Sequence, residues 1–169
     1  MMVDSFKFLP RSIAYFYQMN AGEPETAVPW TPLSKPLADC TFSLLTSGGL
    51  YRKGVDEPFD VAREKAEPTW GDPSFRMIPT DIQQAELGAA HLHINTDFVL
   101  ADMNCLLPIR HFQELAAEGV IGRLAPTAYS FMGFQGLPHD TAAWETTYAP
   151  QVVAQLKEEG VDCVLLTPA

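Results

Sequence analysis

The sequence predicts an α/β domain, a mostly parallel sheet flanked by helices, preceded by an N-terminal helix and a proline-rich arm. Two runs, residues 40–46 and 162–167, have the length and apolar interior of buried strands. Two helical patterns, residues 108–119 and 140–159, lie between them. Strands that alternate with helices are the pattern of parallel sheets joined by crossovers. The expected division is 1–39 for the helix and arm and 40–169 for the α/β domain.

Within residues 5–19, Phe6, Leu9, Ile13, Phe16 and Tyr17 recur three or four apart. That spacing predicts an amphipathic helix, or two pieces parted near Pro10. Residues 21–36 hold Pro24, Pro29, Pro32 and Pro36 and should run extended, with Trp30 and Leu33 packing on the domain or on a partner subunit. After the strand at 40–46, Ser47, Gly48 and Gly49 read as a sharp turn. Residues 52–70 are polar and read as a surface loop with one helical turn. "FRMIP", 75–79, is a short strand, and Asp81 is placed to cap a brief helix through Leu87.

"HLHINTDFVLADMNCLLP" shows no clean period and reads as mostly irregular. Pro108 then suits a helix start, Ile109, Phe112, Leu115 and Ala116 supply its apolar stripe, and Gly119 ends it. An extended run at 124–131 leads into a glycine-rich loop, and Asp140 can cap the next helix. There Trp144, Tyr148, Val152 and Leu156 fall four apart on one face, with Pro150 expected to kink or split the helix. The strand at 162–167 follows.

The chain of 169 residues carries 21 acidic and 11 basic side chains, a formal net charge of −10. No basic cluster exists to neutralise phosphates, so neither nucleic acid nor an anionic membrane surface is an expected partner. Cys40, Cys105 and Cys163 are far apart and odd in number, without zinc or disulfide spacing. The start, "MMVDSFKFLPR", is too charged for a signal peptide, and no apolar run approaches a membrane span. A cytoplasmic location is expected.

Ligands of open α/β sheets bind outside the carboxyl ends of the strands. If all strands are parallel, that edge gathers Ser47-Gly48-Gly49, Pro79-Thr80, Phe131-Met132-Gly133 and Thr167-Pro168-Ala169. Their hydroxyls and free N–H groups would suit a carboxylate or phosphate. The glycines equally suit a tight turn and nothing more. His91 and His93 would share one face of a strand, as metal ligands can, yet a hydrogen-bonded structural pair is the favoured reading and no metal is expected. No nucleophile elbow, dinucleotide fingerprint or P-loop is present. Cys105 and Cys163 read as packing residues.

Taken in order, "FSLLTSGGLY", "HLHINTDFVLADMNCLLPIRHFQELAAEGVIG", "LAPTAYSFMG" and "APQVVAQLKEEGVDCVLLTPA" resemble the glycine/sarcosine/betaine/D-proline reductase selenoprotein B family from Phe42 to Ala169. In that family the strand ending in "LLTP" and one small residue runs into selenocysteine or cysteine, two further residues, and a second cysteine. The resemblance implies an N-terminal part of such a reductase, read short at an in-frame UGA, with its nucleophile following Ala169 and absent here. It implies reductive C–N cleavage of a small amino acid or amine, no cofactor in this chain, and selenocysteine in the full-length protein. Partner reductase subunits and an oligomer are implied too. A pyruvoyl-containing partner belongs to the glycine and proline systems, and no pyruvoyl precursor signature is assignable here.

Carried over by position, Ser47, Gly48, Gly49, Tyr129, Ser130, Thr167 and Pro168 would line the substrate pocket. His91, Asn95 and Asp97 would orient substrate or a general acid. Two rival readings are a complete non-catalytic binding or subunit-interaction module, and a cofactor-independent isomerase or lyase with Cys105 as nucleophile.

Overall fold

The computed structural model describes residues 5–19 and 31–169. The chain forms two compact units, Met1–Pro32 and Leu33–Ala169. In the first, a 3₁₀ turn at Ser5–Phe8 and helix α1 (Arg11–Met19) are separated at Pro10, the second of the two forms expected. Most of the proline-rich arm, Trp30 included, lies outside the described residues. Leu33 belongs to the second unit and is exposed.

The second unit is built on β1 (Thr41–Thr46). On one side β1 pairs in parallel with β5 (Arg123–Leu124) at its start and with β6 (Thr127–Phe131) at its end. Pro126 parts β5 from β6, because a residue without an N–H cannot continue the ladder. On the other side β1 pairs in parallel with β7 (Cys163–Thr167), from Phe42 opposite Cys163 to Thr46 opposite Thr167. β3 (Phe75–Pro79) closes the far edge and runs antiparallel to β6. A separate two-stranded ribbon joins β2 (Leu50–Arg52) to β4 (Leu87–Ala89).

Alternate residues of β1 serve two cores, as the strand period requires. Leu44 enters one cluster with Ile78, Ala128, Leu50 and Leu87, covered by Val99 of α3 (Asp97–Ala101) and Ile109 of α4 (Ile109–Ala117). The Phe42 ring packs 5.6 Å from Phe112 of α4. Leu45 faces the other way, toward Tyr129, Phe131 and Val152 of α5 (Ala149–Glu158). Trp144, Tyr148 and Leu156 pack there as their spacing predicts.

Both later helices carry the expected boundary signals. Gly119 takes φ +71° just after α4. The Asp140 carboxylate accepts from the Ala142 N–H at 3.0 Å. Pro150 does not split the second helix. Residues Trp144–Tyr148 widen into a π-turn, with the Ala149 N–H donating to the Trp144 carbonyl, and Pro150 sits in the first turn of α5, where its missing N–H is least costly.

Four expectations are corrected. β3 is antiparallel, so Pro79-Thr80 lies at the opposite end of the sheet from Gly133. Asp81 caps no helix; Gln83 and Glu86 form a capping box on a 3₁₀ turn at Gln84–Glu86. Residues 52–70 are not all surface, since Phe59 and Glu64 are buried, Glu64 on α2 (Val61–Ala66). β7 is not a buried strand: Val164, Leu165 and Leu166 are 37%, 36% and 64% exposed. Among the described residues β7 pairs with β1 alone, so its outer edge is open, and the exposed Leu166 and Leu165 on alternate faces leave neither face fully covered.

Leu44 is fully buried between sheet and helices. Leu44→Ala should lower the unfolding free energy by about 2–5 kcal/mol, read from denaturant melts.

Candidate functional site

The carboxyl ends of β1, β6 and β7 meet around Ser47. Its N–H donates to the Thr167 carbonyl at 3.4 Å, and its carbonyl accepts from the Gly133 N–H at 2.9 Å. Its hydroxyl oxygen accepts from the Ala169 N–H at 2.9 Å. The Thr46 hydroxyl donates to the Thr167 carbonyl at 3.0 Å and accepts from the Gly48 N–H at 3.2 Å. The Gly49 N–H donates to the Phe131 carbonyl at 2.9 Å. The Thr167 hydroxyl reaches the Leu106 carbonyl at 2.6 Å.

This lacing decides what the turn can do. The N–H groups of Ser47, Gly48, Gly49, Gly133 and Ala169 all have protein acceptors, so the expected row of free donors for an anion is not there. The glycines serve close approach instead. Gly49 has φ +66°, and a Cβ on it would collide with the Ala90 carbonyl oxygen. A Cβ on Gly133 would sit 3.1 Å from the Ser47 hydroxyl and 3.3 Å from the Ala169 carbonyl oxygen. Gly133 therefore lets the chain leaving β7 approach the Ser47 turn closely.

The same turn positions the histidine segment. The Gly49 carbonyl accepts from the Ala90 N–H at 2.9 Å, and His91 follows directly. His91 is buried, and its Nδ1 accepts from the His93 N–H at 3.0 Å. An accepting Nδ1 requires the neutral ring with its proton on Nε2. Burial, and next the neighbouring His93, hold the His91 pKa below its ordinary value. Among the described residues the His91 Nε2 has no partner. The His93 ring lies 4.6 Å from Phe134, and its Nε2 is 2.8 Å from Glu64 Oε1. Glu64 is only 3% exposed, and its Oε2 also has no partner among the described residues. Glu64, His93 and Phe134 thus join the edge although the sequence singled out none of them for it. A lone glutamate in "VAREKA" looks like a solvated helix face.

The remaining candidates go elsewhere. Asn95 and Asp97 are exposed, and the Asn95 side-chain Oδ1 accepts from the Asp97 N–H at 3.0 Å at the start of α3. Tyr129 is fully buried beneath α5, its pKa pushed up by burial and next by Glu159. The Ser130 hydroxyl oxygen accepts from the Leu50 N–H at 2.7 Å, tying the ribbon to the sheet. Pro168 follows Thr167 at the rim and is exposed. Cys105 is exposed, with its thiol pKa pushed up by partial burial and next by Asp102, the reverse of an activated nucleophile. No group of three or more His, Cys, Asp or Glu side chains could hold a metal among the described residues. On the α5 face, Leu45, Ser47, Phe131, Trp144 and Ala149 line an open apolar cavity of about 240 Å³.

The family model for glycine/sarcosine/betaine reductase selenoprotein B matches residues 16–169. The chain belongs to that family. It is 40% identical over 138 residues to the D-proline reductase subunit gamma of Acetoanaerobium sticklandii, covering 82% of this chain and 52% of the relative. It is 31% identical over 140 residues to the glycine reductase complex component B subunit gamma of Carboxydothermus hydrogenoformans, covering 83% and 30%. The protein with that same description in Symbiobacterium thermophilum is 28% identical over 166 residues, covering 93% and 37%. The chain therefore spans about half the length of the first relative and about a third of the others. No solved structure matches.

Two outcomes test the geometry. Gly49→Ala should destabilise by at least about 1–2 kcal/mol, the left-handed backbone cost alone, with the clash at Ala90 adding to it; unchanged melting would refute the turn. Because the folded His91 pKa lies below the unfolded value, its contribution is fully present above about pH 6.5. That contribution is lost as pH falls through the folded pKa. His91→Gln should flatten the acid side of a stability-versus-pH curve and leave the alkaline side's slope unaltered.

Proposed function

We propose that this chain is the N-terminal part of a component B-type reductase subunit that cleaves a C–N bond in a small amino acid or betaine. Its nucleophile is a selenocysteine or cysteine placed just after Ala169, with UGA as the codon read as stop. The family membership and the relatives' names support the reaction class. The observation that supports the placement is the Ser47 junction, which ties Ala169 to the end of β1 and packs it closely against Gly133. A residue added there would emerge at the ligand-binding edge of a parallel sheet.

A selenol ionises well below the ordinary thiol value of about 8.5, so at neutral pH it supplies a strong nucleophile, and a nearby thiol can resolve what it forms. The described residues do the rest. The Ser47 hydroxyl fixes the outgoing backbone through its bond from Ala169. His93, half exposed and braced by Glu64, is the solvent-reaching histidine of this segment and serves as the proton carrier. His91, held neutral, buttresses the His93 backbone. The acidic balance of the chain favours a cationic amine over a polyanion as substrate. Partner subunits of the complex and a cytoplasmic, oligomeric assembly belong to the same proposal.

Sequencing beyond codon 169 should give UGA or a cysteine codon, two further residues and a cysteine, in frame. A subunit extended through that point, combined with its partner subunits and a dithiol, should cleave the C–N bond of one small amino acid or betaine, seen as released amine or, for a cyclic substrate, as the ring-opened amino acid. A downstream frame without the second cysteine sinks the proposal, as does an extended subunit that forms neither product.

A further inference from the structure

The β7 strand presents "CVLLT" with one open edge and two incompletely covered faces, an arrangement that folded proteins avoid. Its two faces are distinguishable. Leu45 stands opposite Leu166 and Ser43 opposite Val164, and parallel partners in register point the same way. Leu45 belongs to the α5 core, so Leu166 and Val164 stand on the α5 face. The apolar cavity beside them takes in Leu45, Phe131, Trp144 and Ala149. Val153, one helical turn beyond Ala149, extends this apolar surface and is 45% exposed.

Chain handedness states what covers such a face. From β6 the chain crosses over β1 to β7, and α5 carries that crossing on the Leu45 face. A further parallel strand outside β7 would continue in the same direction across the sheet. Connections of this kind are right-handed in about 98% of cases, which puts the next helix on the same face as α5. A strand added at the other end of the sheet would put it on the α4 face. β3 ends the sheet on its other side, but the exposed apolar residues of the α5 face, Val164 and Leu166, belong to β7.

We propose that the α5 side of β7 seats an amphipathic helix from this polypeptide's own continuation, leading to a parallel strand paired with β7's open edge. The proposal rests on the reading that the subunit continues past Ala169, and it assigns where that continuation packs. Its helix fills the cavity at Leu45 and Trp144 with an apolar side chain and covers Val164, Leu166 and Val153. The relatives have the length for it, since the chain covers 52% or less of each. Docking there also fixes the loop between β7 and that helix over Ser47, where the nucleophile is placed.

The test compares the 169-residue chain with the subunit extended through a cysteine at the position after Ala169. Single variants Val153→Cys and Ala149→Cys, both on an exposed helix side, are labelled with a maleimide and mapped by mass. Val55→Cys, at a position 68% exposed in the turn after β2, serves as the control. Labelling at 149 and 153 should fall at least tenfold in the extended subunit, with the control unchanged. Equal labelling in an extended subunit that, with its partner subunits and a dithiol, still cleaves a C–N bond overturns the docking and leaves the reductase reading standing. Concentration-dependent protection in the short chain assigns the face to a second copy and overturns the docking as well. Protection with neither amine release nor ring opening supports the docking and sinks the catalytic reading.

Discussion

Strand β1 must satisfy backbone partners on both sides, and that requirement organises the α/β unit. A buried N–H or carbonyl without a partner costs about 1–3 kcal/mol. β5 and β6 meet one side of β1, β7 the other. Both ends receive extra ties from side chains. At the start the Asp162 carboxylate accepts from the Thr41 N–H at 2.8 Å and pairs with Lys35 at 2.7 Å. At the finish the Thr46 hydroxyl donates to the Thr167 carbonyl across the pair. Register is thereby fixed over the whole strand, and the three parallel carboxyl ends arrive together.

The site follows from that alignment. With its own N–H groups spent on lacing, the Ser47-Gly48-Gly49 turn acts as a frame, not as an anion cradle. Beside the frame stand the neutral His91 and the His93 and Glu64 pair. Among the described residues the His91 Nε2 is a donor and the Glu64 Oε2 an acceptor without a partner, and buried water is the usual way such groups are met.

Periodicity carried the large elements. The apolar run at β1, the stripe of α4 and the four-residue spacing of Trp144, Tyr148, Val152 and Leu156 each left one packing solution, and the structure adopts it. Direction was not legible in "FRMIP", because a five-residue strand reads alike in parallel and antiparallel pairing. The three-residue strands β2 and β4 are too short to leave a period. Exposure of β7 escaped notice for a different reason, since "CVLLT" has the composition of a central strand and occupies an edge among the described residues. At the site, Ser47, Gly49, Thr167 and His91 were legible as types in turns and strand ends. Glu64 was not, because its burial arises from tertiary packing of a polar segment.

Amide hydrogen exchange at Gly49, Gly133 and Ala90 tests the central claim, that strand ends are locked to one another through this turn. These N–H groups donate to Phe131, Ser47 and Gly49 carbonyls. The account predicts protection comparable with that of Leu44 and Leu45 inside β1. Exchange at unprotected-loop rates, with β1 itself still protected, would contradict it.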